Sequence, residues 1–155
     1  MNSSQPPTIQ ELKKTLVAAG LEIFRTRPDA VHLAERPRPN QILDAGISVR
    51  PAGPPHIDGA MELRVVLRCQ RSDFPRETPD QLWGRVRVIA GVDILPAGYA
   101  EIEQRELPVA DPGDKSRTLD VWYELVFARV LGDVQATIEE AKRLLPVDKF
   151  VKGTQ

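Results

Sequence analysis

Two hydrophobic periods occur along this chain, and their order restricts the fold more than any other feature. Apolar residues recur at helical spacing near each end, over Ile9–Ala19 and Asp133–Leu145. The segments between alternate apolar and polar side chains. A period of 3.6 residues buries one stripe of a helix, and a period of 2 buries one face of a strand. Helices bracketing a run of strands imply an α+β domain: an antiparallel sheet with N-terminal, middle and C-terminal helices packed on it.

The clearest strand is 61–70. Met61, Leu63, Val65, Leu67 and Cys69 alternate with Glu62, Arg64, Val66, Arg68 and Gln70, so one face belongs to a core. Upstream, Leu21–Arg25 and Ala30–Glu35 read as short strands around the turn Arg27-Pro28-Asp29. Leu43, Ala45, Ile47 and Val49 mark another strand, and the proline- and glycine-rich stretch Pro51–Ala60 reads as an exposed loop. Downstream, Tyr99–Leu107 reads as a strand rich in carboxylates. Pro108–Arg117 reads as a charged loop with Asp-Pro-Gly-Asp turn chemistry. Thr118–Leu131 is the most apolar strand, with Val121, Tyr123, Leu125 and Phe127 on one face and Trp122, Val126, Ala128 and Val130 on the other. A strand apolar on both faces needs cover on both, from its own helices or from another subunit.

Thr8 and Glu11 suit a capping box at the start of the first helix, and Gly20 suits its stop. The last helix follows Gly132-Asp133 and ends at Pro146. Residues 78–91 carry two signals. Arg85-Val86-Arg87-Val88 alternates like a strand, but Thr78, Pro79, Asp80 and Gln81 make a helix start with a capping box, and Gly91 suits a helix end. Leu82, Trp83, Val86, Ile89 and Ala90 share one helical face, so helix is favoured over 78–90 even though Gly84 costs about 1 kcal/mol. The resulting organisation is a disordered leader at 1–7, a single domain at 8–147 and a polar C-terminal tail at 148–155.

A net charge of −1 lacks the basic excess of a nucleic-acid binder, so no sequence-specific nucleic-acid partner is expected. No apolar run approaches the ~20 residues of a membrane span, and the N-terminal residues lack the apolar core of a secretory signal. Cys69 is the one cysteine, which excludes an intramolecular disulfide and reads as a buried core residue. These features place the chain in a reducing cytoplasm.

Chemistry-bearing patterns are sparse. His32 with Glu35, and His56 with Asp58, each offer two metal ligands where a site needs three or four. Gly113-Asp114-Lys115-Ser116 lacks the glycine spacing and the following helix of a phosphate-binding loop, and no G-x-S-x-G occurs. Glu101, Glu103 and Glu106 read as a solvated acidic face. Arg64, Arg68, Arg71, Arg76, Arg85 and Arg87, interspersed with Glu62, Asp73, Glu77 and Asp80, read as a salt-bridged surface. No catalytic residue, metal ligand or cofactor is assigned, and no enzymatic activity is expected.

The strand Glu62-Leu63-Arg64-Val65-Val66-Leu67-Arg68 is followed by a charged link and helix over Arg71–Gly91. Next comes the loop Pro108…Gly113-Asp114-Lys115-Ser116-Arg117, leading into Thr118-Leu119-Asp120-Val121-Trp122-Tyr123. In this layout, over about residues 9–131, the chain resembles the bacteriophage tail terminators, also called tail completion or minor tail proteins. The resemblance implies a non-enzymatic subunit of a hexameric ring that caps the tail tube, stops its polymerisation and joins tail to head. Tail-tube and head-completion proteins would be its partners, and its place would be the virion, after assembly in the host cytoplasm. The last helix and the tail to Gln155 run longer than in the smaller members, which suggests an added contact. The same order of elements is also similar to small chaperone-like domains related to type III secretion chaperones, which implies a protein-binding module of the bacterial cytoplasm. In a ring, Asp111, Asp114, Lys115 and Arg117 are the expected charge pairs across subunits, with Trp122 and Val126 as apolar contacts.

Overall fold

The computed structural model of the chain describes residues 9–52 and 59–151. The first helix, α1 (Ile9–Ala18), leads to three strands, β1 (Ile23–Thr26), β2 (Val31–Glu35) and β3 (Leu43–Pro51). Strand β4 (Met61–Gln70) precedes helix α2 (Pro79–Asp93). Then come β5 (Ala100–Asp111), β6 (Asp114–Leu131), helix α3 (Val134–Leu144) and a two-residue strand, β7 (Phe150–Val151). The strands form one sheet in the order β1-β2-β3-β4-β6-β5, with β7 beside β4. The α+β reading therefore holds, with an antiparallel sheet and three helices. The exception to antiparallel pairing is β7, which lies parallel to β4.

The chain divides into two compact units, and each draws on two separate stretches of sequence. The first runs to Val65 and adds Ala128–Val147; the second is Val66–Phe127 with residues from Asp148 onward. In the first unit α1 buries Leu12 and Leu16 and packs on β1 and β2. It ends in a left-handed Gly20 at φ +92°, where the Leu21 amide donates to the Leu16 carbonyl and the Gly20 amide to Val17, closing the orphan carbonyls. Thr8, the expected cap, lies outside the described residues, as do 53–58. The β2–β3 register slips between His32 and Ala34. On β3, Gly46 at φ +70° bends the strand, and its amide donates to the Asp44 carboxylate. Helix α3 starts on Asp133, whose carboxylate accepts from the Ala136 amide, and buries Thr137, Ile138, Ala141 and Leu144.

In the second unit the Thr78–Gln81 capping box is complete in both directions, with Pro79 at the first helical position. The competing strand signal at 85–88 loses because only the helix buries Leu82, Trp83, Val86 and Ala90 together. Gly91 does not end α2, as its spacing suggested. It stays helical, and the helix continues to Asp93, which delivers the fully buried Ile94 at the C-cap. Trp83 meets Tyr123 of β6 edge to face, with ring centroids 4.9 Å apart. The expected polar tail contains a strand instead. Phe150 and Val151 pair with Arg68 and Cys69, and the Arg68 amide donates to the Lys149 carbonyl at 2.9 Å. A two-residue strand carries no readable period, so only its partner reveals it.

Cys69 is fully buried, as its alternation predicted, and burial pushes its thiol up to about 11. Among the described residues no helix is long and apolar enough to cross a membrane.

Candidate functional site: the β5–β6 arm

Residues 108–117 are not a loop. Strand β5 runs to Asp111 and β6 starts at Asp114, leaving Pro112-Gly113 as a two-residue turn. The Asp111 carboxylate accepts from the Gly113 amide at 2.8 Å. The Asp114 carboxylate accepts from the Ser116 amide and hydroxyl, which holds it below the ordinary carboxylate value. Turn residues inside a sequence often mark a loop, but here they close a ladder. Lys115-Ser116-Arg117-Thr118 has no apolar alternation, so the strand beyond the turn leaves no periodic signal in the sequence.

Beyond the sheet this hairpin is a two-stranded arm, exposed or half-buried on both faces among the described residues. No residue of β5 is fully buried, and residues 114–119 of β6 are all exposed. At ~3.4 Å per residue that exposed part of β6 is about 20 Å long. Ile102, Leu107 and Leu119 keep 47%, 39% and 50% of their surface in water. Isolated two-stranded hairpins are marginal in water, so the arm depends on what holds its base.

Besides the β4–β6 ladder and the Trp83–Tyr123 contact, charged pairs hold the base. Glu124 on β6 is buried, its side chain 4% exposed. It accepts a short hydrogen bond from Arg68 of β4 and lies 3.6 Å from Arg105 of β5. Arg105 also donates to Glu103, which, ahead of Glu124, holds the guanidinium above its ordinary value. On α2, Arg87 donates to Glu101 and Gln104. Asp120 accepts from the Ser72 amide and hydroxyl. Burial, with Glu106 next in effect, raises the Tyr123 phenol. A buried carboxylate between two guanidiniums leaves little freedom in how the arm leaves the sheet.

The expected interface residues separate into two groups. Asp114, Lys115 and Arg117 lie exposed at the tip, with Asp111 half-buried beside them. Trp122 is half-buried, edge-on to Phe150 at 6.2 Å, and Val126 is buried within the chain, 1% exposed. Val126 lies beyond the arm, where β6 is buried on both faces. Of the arginine cluster, Arg64, Arg68, Arg85 and Arg87 each meet a carboxylate. Among the described residues no group of three His, Cys, Asp or Glu is placed to hold a metal. His32 sits on β2, where burial lowers its imidazole against the pull of Asp44, and His56 and Asp58 fall outside the described residues. The chain matches no protein-family model, no curated protein and no solved structure.

Proposed function

We propose that this chain is a non-enzymatic assembly subunit that closes into a ring, in the manner of the phage tail terminators it resembles. Such a ring caps a tail tube and joins it to head-completion proteins in the virion. The observation that carries the reading is the arm: β5 and residues 114–119 of β6 hold apolar and charged side chains that stay exposed or half-buried among the described residues. A protein pays conformational entropy to order such a ribbon, and a neighbouring subunit supplies the missing contacts.

Native mass and negative-stain imaging of the purified protein test it. A hexameric ring with a central opening is the expected result. A closed dimer would move the chaperone-like binding module ahead, and a monomer at high concentration would sink the ring.

A further inference from the structure

The arm's two faces carry opposite charge, and that sorting identifies its partner. Side chains alternate along each strand, and residues opposite one another in a hairpin share a face. With Asp111 and Asp114 flanking the turn, one face receives Glu103, Arg105, Asp111, Asp114 and Asp120, with Leu107 and Val109 between. The other receives Glu106, Lys115 and Arg117, with Ile102, Ala110 and Leu119. Contacts within the chain agree with this division. Arg105 reaches Glu103 and Glu124, and Asp114 reaches Ser116, all within the first face, while at the base Arg87 of α2 bridges Glu101 and Gln104 across the two. The first face is net acidic and the second net basic. Asp111 and Asp114 therefore point away from Lys115 and Arg117 of the same chain.

We propose that the arms stack between copies, the basic face of one arm on the acidic face of the next. This rests on the ring reading and gives that ring its direction. Contact between two different faces is head-to-tail, so each added copy presents a fresh face until the ring closes. A like-face pairing would set acid on acid or base on base. The arm's outer edge is a poor alternative, because Pro108 on β5 has no amide to donate and Glu101, Glu103, Arg105 and Glu106 charge the rest of that strand. A ribbon about 20 Å long and two strands wide offers only about 200 Å² per face, far below the ~1,600 Å² of a standard interface. The arms thus set register and partner choice while other surface supplies most of the affinity.

Two variants test the stacking. One reverses the basic face (Lys115→Glu with Arg117→Glu), and the other reverses the acidic face (Asp111→Lys with Asp114→Lys). Each alone should need at least about tenfold more protein to assemble at low salt, with the loss shrinking as salt rises. An equimolar mixture should recover wild-type assembly, because each variant's reversed face complements the other's. Far-UV circular dichroism checks that both fold. Asp111→Asn with Asp114→Asn, which keeps both turn acceptors, separates lost charge from a lost turn and should also weaken assembly. Variants that assemble like wild type, or a mixture that stays dissociated, would overturn the stacking and leave the ring reading intact. A wild type that is monomeric throughout would overturn both.

Discussion

Replacing Glu124 with glutamine changes almost no volume and removes one charge, so it measures what that charge does. The carboxylate is 4% exposed, Arg68 is 21% exposed and Arg105 is 37% exposed. The Arg68 bond is the shielded one, and hydrogen bonds to charged groups contribute about 1.5–3 kcal/mol. The Arg105 share is smaller, since that side chain is more than a third exposed and water screens it. A glutamine keeps one acceptor oxygen but turns an amide toward a guanidinium. The expected loss is about 2 kcal/mol. With a urea dependence of about 2 kcal/mol/M for a chain of this size, the unfolding midpoint should fall by about 1 M. Protein concentration must be held fixed, because assembly would add its own stabilisation. Replacing both partners, Arg68→Met with Glu124→Leu, should cost less than Glu124→Gln alone, because no charge is then left buried without its partner. A Glu124→Gln protein within about 0.5 kcal/mol of wild type would refute the reasoning.

Cys69→Ser should cost about 1–3 kcal/mol for a hydroxyl placed in an apolar site. The unfolded thiol ionises near its ordinary value of 9.0 and the buried one at about 11. Wild-type stability should therefore fall as pH rises through that interval, and the serine variant should lack this fall. Thr78→Ala removes half of the α2 capping box and should lower stability by about 1 kcal/mol in chemical denaturation. Gly84→Ala and Gly91→Ala should each raise it by about 0.5–1 kcal/mol, because an added Cβ meets nothing within 4 Å at either helical position. Destabilisation by either alanine in the isolated chain would mean that its site is less open than the structure shows.

Much of the fold is legible where one face decides. Strand β4 buries every second residue without a break, and no other structure suits that spacing. Helix α2 is legible through its cap, which outweighs a β-branched run because the cap fixes where the backbone turns. The arm is legible in part. Its tip residues were identifiable as exposed and charged, but Asp-Pro-Gly-Asp fits a loose loop as well as a tight turn. A ribbon exposed on both faces also has no hydrophobic alternation to announce it. Glu124 could not be singled out, because a carboxylate in an apolar strand is explained only by Arg68, 56 positions away, and by the edge-strand Arg105. Nothing local marks β7, whose two residues depend on Arg68 and Cys69 for their pairing.

The interleaving of the two compact units bears on how the chain matures during synthesis. The first unit lacks Ala128–Val147 until late in translation, and the second lacks the strand at 150–151 until later still. Neither is whole while most of the polypeptide is still emerging, so the ribosome cannot release one finished module before the other begins. Folding then waits on contacts between distant parts of the sequence, and such topologies fold slowly. During that wait the long β6 strand, apolar on both faces beyond the arm, is uncovered and open to aggregation. Slowing synthesis through codons 128–151 should change soluble yield more than slowing it through codons 9–52.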